Sequence, residues 1–355
     1  MNRRDKLIAL AGRLLSISGL GKVLARPTKG MGVIFTLHRV LPESDRPFQP
    51  NGMLEVTPEF LEAMILQVRE EGLEFVSLTE AMERLQLGAR YTGPRFVALT
   101  FDDGYRDNLE IAYPVLKHHG VPFTVFITSG FCDRSSEIWW VALERLIADM
   151  DVFELHDDVL LSSYPCCTVE EKQAAFTEAR HFLMNEVDEN AQRRILRATA
   201  GYYDFDLKAL CEELVLSWEE LREWGNDPLV SFGAHTATHA ALERLDETQL
   251  KQEVLGGVDR MVAELGMAPK HFAYPYGFAG AADQKAFSVL RSLGYDCCVT
   301  TRPGMIKASH YSGREQLPRV SLNGYHQSRE MVSLFLTGLP FALYNLVSKL
   351  RGKIA

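Results

Sequence analysis

Asp102 and Asp103 stand side by side in Thr100-Phe101-Asp102-Asp103-Gly104, directly after the apolar run Phe96-Val97-Ala98-Leu99. Carboxylates at the end of a buried strand are costly unless they are paired, hydrogen-bonded or bound to a metal. The chain offers a partner in His235-Thr236-Ala237-Thr238-His239. Two histidines four apart and one carboxylate make three ligands with coordination positions left open, the donor set of a catalytic zinc site. The second carboxylate is then free to act as a base. A divalent cation held this way, Zn2+ in the first instance, keeps a residual charge of about +1 and acidifies water toward a pKa of roughly 7. The same donors suit non-haem Fe(II), which usually occupies a different, antiparallel scaffold. The structural alternative is a pair of histidines that merely cap a helix.

Such a site needs elements to position it. Residues 32–37, Gly-Val-Ile-Phe-Thr-Leu, read as a buried strand ending at His38-Arg39. Thr57 and Pro58 start a helix that runs to about Glu71, where Gly72 can end it. Phe75-Val76-Ser77-Leu78 reads as a short strand with Thr79 capping the next helix, and Asp107 to His118 has a helical pattern. Further apolar strands are expected at 122–128, 229–233, 271–274, 295–301 and 317–322. Short apolar strands alternating with helices imply a parallel α/β architecture, in which chemistry gathers at the C-terminal ends of strands. Asp102, Asp103, His235 and His38 all fall at such ends. The i, i+4 spacing of His235 and His239 places them on one face of a helix or of the turn that opens one.

Residues 132–226 break this rhythm with Trp139-Trp140 and charged helical patterns such as Val169 to Val187. They are expected to form a helical insertion, serving as a lid or simply enlarging the fold. Residues 1–29 read as an amphipathic N-terminal helix. Arg3, Arg4 and Lys6 precede an apolar stretch as in a signal peptide, but Arg13 interrupts it and no small-x-small cleavage site follows. Residues 328–355 read as an apolar helix ending in Lys349, Arg351 and Lys353. It is expected to pack on the domain or on a dimer partner, with contact to anionic lipid as the alternative.

The formal net charge of −9 argues against nucleic acid as partner. Six cysteines without a CxxC spacing read as reduced thiols. No uncharged apolar run reaches the length of a membrane span. The expected location is cytoplasmic, with peripheral attachment to the inner membrane as an option, rather than secreted.

The Thr100–Gly104 run followed by His235-Thr236-x-x-His239 resembles the first two motifs of the polysaccharide deacetylases, the NodB-homology or carbohydrate esterase family 4 enzymes. Phe272-Ala273-Tyr274-Pro275-Tyr276-Gly277 resembles the third. The resemblance covers about residues 30–325 and implies a distorted (β/α) barrel, here over residues 30–327, with the helical insertion and terminal helices added. It implies Asp102 as general base, Asp103, His235 and His239 as metal ligands, and the N–H of Tyr276 as oxyanion donor. The implied activity is metal-dependent removal of N-acetyl groups from sugars of a glycan, or of a lipid- or nucleotide-linked precursor, in bacterial envelope or exopolysaccharide metabolism. The chain also departs from the pattern. The third motif lacks the arginine that orients the base, and Leu317-Pro318-Arg319-Val320-Ser321-Leu322-Asn323 lacks the histidine that serves as acid. His38 is the leading replacement acid and His326 the second. Arg319 is a candidate for the missing arginine. An O-acetyl esterase, which needs less help from an acid, and a non-catalytic carbohydrate-binding relative are the alternatives.

Overall fold

Unbroken apolar runs become the central strands of a parallel sheet. The computed structural model describes residues 28–278 and 280–351. Its main sheet has eight strands: β1 (Gly32–Leu37), β2 (Glu74–Val76), β3 (Phe96–Phe101), β4 (Phe123–Ile127), β5 (Val230–Ala234), β6 (His271–Ala273), β7 (Cys297–Val299) and β8 (Val320–Ser321). They run in the order β7-β6-β5-β4-β3-β1-β8, with β2 beside the first half of β3. Every pairing is parallel. Burial on both faces explains why β1 and β3 read as continuous apolar runs rather than alternating ones. The sheet curls, and a parallel bridge from Val299 to Leu317 links β7 to the segment that becomes β8, which closes the distorted barrel.

The period of two sorts each strand into an inner and an outer row. Ile34, Ala98, Phe126, Ala273 and Val299 pack together inside, while Val33, Phe35, Val97 and Leu99 join the larger core under the helices. The inner row of β1 continues to Thr36, and that of β3 to Thr100 and then Asp102. The base candidate is therefore aimed into the mouth of the barrel by strand parity.

The helix starts follow side-chain capping. Thr57 accepts from the Phe60 N–H with Pro58 in the first turn of Pro58–Glu70. The next helix, Leu78–Leu87, is capped by Ser77 and not by the expected Thr79. Thr79 instead sits in the first turn, where its hydroxyl meets His271 Nε2 at 3.0 Å. The expected helix from Asp107 is a wider π turn over Asn108–Ala112 before Tyr113–His118.

Residues 132–226 hold helices, among them Trp139–Ala148, Val169–Asn185 and Glu189–Tyr202, but also an antiparallel hairpin, Val152–His156 with Leu160–Pro165. A purely helical reading of this insertion is therefore corrected. The signal was there: Phe153 and Leu155 alternate with half-exposed neighbours. The C-terminal piece is two helices, Arg329–Leu336 and Leu339–Arg351, bent by 64°. Gly338, at φ +70°, makes the corner, and a Cβ there would strike the Thr28 carbonyl. The helix expected over 1–29 lies outside the described residues, Thr28 and Lys29 excepted. All six cysteines are free of disulfides.

Candidate metal centre and active site

Asp103 follows β3 with φ +75°, and Gly104 continues at +74°. This left-handed turn drives the Asp103 side chain away from its neighbour and toward the loop after β5. That loop is not helical, so of the two expected settings for His235 and His239, a helix face or the turn that opens a helix, the helix face is corrected. Instead Thr236 (φ +65°) and His239 (φ +64°) fold it into a tight coil. The His239 N–H donates to Thr236 Oγ1 at 2.9 Å. Helix Glu247–Leu265 clamps the coil from outside. Its Glu253 accepts from the Thr238 N–H at 3.0 Å and from its hydroxyl at 2.6 Å. Gly257 lets the helix approach so closely that a Cβ would lie 2.8 Å from the Thr236 carbonyl carbon.

The coil brings both imidazoles to Asp103. His235 Nε2 lies 3.5 Å and His239 Nε2 3.3 Å from Asp103 Oδ1. All three residues are buried. His235 Nδ1 donates to the Ala273 carbonyl at 2.7 Å, which leaves a lone pair on Nε2 facing Asp103. Burial holds His239 below the ordinary histidine pKa despite the pull of Asp103, so its neutral form is favoured. Asp103 is pushed up by burial, yet His239 and His235 bring it far below the usual carboxylate range. Asp103 Oδ1 makes no hydrogen bond among the described residues. A buried carboxylate oxygen and two imidazole nitrogens thus converge within 4.8 Å, and the N, N, O donor set fits a divalent cation such as Zn2+.

Asp102 is held differently. Its N–H donates to the Leu37 carbonyl at 3.0 Å, which extends the β ladder by one residue. Arg319, fully buried, forks onto its carboxylate with Nη1 and Nη2 at 2.7 Å each. The fork is itself fixed by the Thr300 carbonyl, by Thr100 Oγ1 and by the ring of Phe126. Burial pushes the Asp102 pKa up, but Arg319 and His235 outweigh it and the net direction is downward. Arg319, expected as a candidate for the arginine absent from the third motif, thus meets Asp102 from far along the chain.

Tyr276 has φ +60°, the fourth left-handed non-glycine residue of this site among six in the described chain. Each such residue costs about 1–2 kcal/mol, and concentration at one site is typical of strain kept for function. The Tyr276 carbonyl is tied to Thr301 Oγ1 at 2.6 Å, and its N–H makes no hydrogen bond among the described residues. Its ring packs edge-on against His239 at 4.7 Å, and its hydroxyl accepts from Trp139 Nε1 at 2.9 Å. Trp140 lies 4.9 Å and Phe131 5.8 Å from the His239 ring. The start of the insertion thus forms an aromatic wall of the metal centre, a part that Trp139-Trp140 alone did not disclose.

His38 follows β1 directly, is half-buried, and lies near enough to both aspartates to lower their pKa values. Asn108 Nδ2 holds its carbonyl at 2.8 Å. His326 is placed elsewhere, with its ring edge-on to Phe335 of the C-terminal pair. Among the candidates for the acid, the structure brings His38 to the site and not His326.

A family model for polysaccharide deacetylases matches residues 89–298. This chain belongs to that family. The matched stretch contains Asp102, Asp103, His235, His239 and Tyr276 but neither His38 nor Arg319. YxkH of Bacillus subtilis (strain 168), which carries a provisional polysaccharide deacetylase name, is 35% identical over 74 residues, 21% of this chain. That match spans about a quarter, 26%, of the length of the relative. The fold is shared with the deacetylase PplD of Streptococcus pyogenes, solved with acetate, at TM-score 0.56 and 18% identity over 86% of this chain and 97% of that one. It is shared also with IcaB of Ammonifex degensii, at TM-score 0.52 and 19% identity over 86% and 98%. A de-N-acetylase of Aggregatibacter actinomycetemcomitans gives 0.54 and 14% over 85% and 98%.

Proposed function

We propose that this protein is a metal-dependent hydrolase that removes N-acetyl groups from N-acetylated sugars of a glycan or glycan precursor. The observation that carries this reading is the division of labour between neighbouring carboxylates. Asp103 shares a buried pocket with two imidazole lone pairs, while Asp102 is turned to Arg319 and kept out of that trio. Two solved relatives support the reaction type, one a deacetylase in complex with acetate and the other a de-N-acetylase.

Asp103, His235 and His239 would hold the cation. When bound, it supplies Lewis acidity toward the acetyl carbonyl and toward water. Asp102 retains lone pairs beyond those taken by the Arg319 fork, and one of them accepts the proton of the attacking water. The Tyr276 N–H donates to the oxygen that gains charge as the carbonyl becomes tetrahedral. His38 gives a proton to the departing sugar nitrogen. The Trp139, Trp140 and Phe131 wall keeps the centre dry, which strengthens each of these interactions.

Acetate release from an N-acetylated oligosaccharide tests the roles. Asp102→Asn and His235→Ala are each expected to lose at least about 100-fold in kcat. His38→Ala is expected to slow the amide more than a matched O-acetyl ester, because an amine must leave protonated and an alkoxide depends on this less. Full activity in Asp102→Asn would remove the assigned base, and equal losses on both substrates would remove His38 as acid.

A further inference from the structure

The two chain ends meet at the end of the barrel opposite the site. Thr28 Oγ1 donates to the Thr337 carbonyl at 2.7 Å. Arg95, just before β3, donates to the Lys29 and Leu336 carbonyls at 2.8 and 2.9 Å. These contacts lie at the N-terminal ends of β1 and β3, whereas His38, Asp102 and Asp103 lie at the C-terminal ends of the same strands. Residues 1–29 hold seven Lys and Arg against one acid, and residues 328–355 hold four against one, on a chain of net −9. The body between is therefore at −18.

The same place exposes apolar surface. Arg329–Leu336 is a core helix, with Val332, Leu334, Phe335 and Leu336 buried, so the bent pair does not read as a span. Leu339–Arg351 differs: Leu343, Leu346 and Val347 are 49%, 55% and 47% exposed. Beside this helix opens a cavity of about 620 Å³, lined by its Phe341 and Asn345 and by the cationic Arg302 and Lys307. Arg302 Nε has no hydrogen-bond partner among the described residues. An exposed apolar helix face, flanking cations and a basic cavity of head-group size are the features of an interfacial element.

We propose that the face carrying the helix Leu339–Arg351 docks on an anionic bilayer surface, with Leu343, Leu346 and Val347 entering the acyl boundary and Lys307 at the cavity meeting a lipid phosphate. Cations beside an exposed apolar face select this occupant, because they pair with lipid phosphate while the apolar side chains enter the acyl boundary. One consequence concerns the substrate. Strands of six residues separate the two ends by about 20 Å, so the catalytic mouth faces away from the bilayer. A sugar attached directly to a membrane lipid would not reach it, and a glycan free in solution or extended well beyond its anchor would.

The test uses full-length protein and needs no catalytic readout, so its failure is separate from failure of the proposed reaction. The protein is sedimented with vesicles of phosphatidylcholine, or of phosphatidylcholine with about one-third phosphatidylglycerol. Binding is expected to be at least about tenfold tighter to the anionic vesicles and to weaken as salt rises. The double variant Leu346→Glu, Val347→Glu is expected to lose about tenfold or more with an unchanged melting temperature, and Lys307→Glu to lose the preference for the anionic vesicles. In the unaltered protein, anionic vesicles should slow amide exchange over Leu339–Arg351 and leave residues 235–239 unaffected, a readout that stands even where a variant does not fold. The proposal is overturned by absence of binding, by equal binding of the double variant, by protection at 235–239 in place of the terminal helix, or by a double variant that breaks an oligomer without altering lipid binding. The last result would assign the face to a second copy of the chain.

Discussion

At the level of single residues, the Asp102–Arg319 pair decides whether the proposed base is usable. Both partners are buried and the guanidinium is fully so. Removing one partner leaves an uncompensated buried charge, which costs far more than the net worth of the pair. Arg319→Met is expected to destabilise the fold by about 3–5 kcal/mol. Asp102→Asn in the same background should recover much of that loss, since the orphaned carboxylate is then gone. Urea unfolding of the two single variants and the double variant measures this coupling. Additive effects would show that the fork is not the interaction that matters.

At the level of elements, β6 carries a second kind of buried group. His271 is enclosed between Thr79 and Cys297, and burial lowers its pKa from 6.5 to about 4. Its folded-state pKa lies below the unfolded one, so between these values the unfolded chain binds more protons. Stability from keeping it neutral is thus fully present above pH 6.5 and is lost as pH falls toward 4. The expected loss from this residue at pH 5, relative to pH 8, is about 2 kcal/mol. His271→Gln should flatten the fall of the urea midpoint over that range. An unchanged slope would place the acid sensitivity elsewhere. The strand is short, and its neighbour Ala273 accepts from His235, so acid loosening of β6 would reach the metal centre through the backbone.

At the level of the whole molecule, the proposed metal would link its binding to folding, because its ligands come from two separate strand ends, those of β3 and β5. A cation that binds only the folded state stabilises it by about 2.7 kcal/mol at a hundredfold excess over Kd. For a chain of this size a chelator is expected to lower the melting temperature by about 3–4 °C. Asp103→Ala should abolish the difference between chelated and zinc-supplemented protein. A melting temperature indifferent to chelator in the unaltered protein would refute the three-ligand site.

The chain itself determined the candidate site residues and much of their frame. Adjacent aspartates after an apolar run, the paired histidines and the Pro275-Tyr276-Gly277 turn were legible because each is a local pattern. So was the alternation of strands and helices, which depends on periodicity within a few residues. The helix start at Thr57 was legible from capping chemistry, whereas the start at Ser77 was missed because two hydroxyl residues stand within two positions of each other. Tertiary structure alone decided the rest. It chose Arg319 over any nearer residue as the partner of Asp102, brought His38 and not His326 to the site, and supplied Glu253 and Trp139-Trp140 from distant elements as the supports of the histidine coil. It also gave that coil a left-handed path in place of a helix. The physical reason is common to all four. A buried charge, a strained φ and a close backbone approach are tolerated only where the packed neighbours over-determine them, and those neighbours are set by closure of the barrel, which no window of the sequence contains.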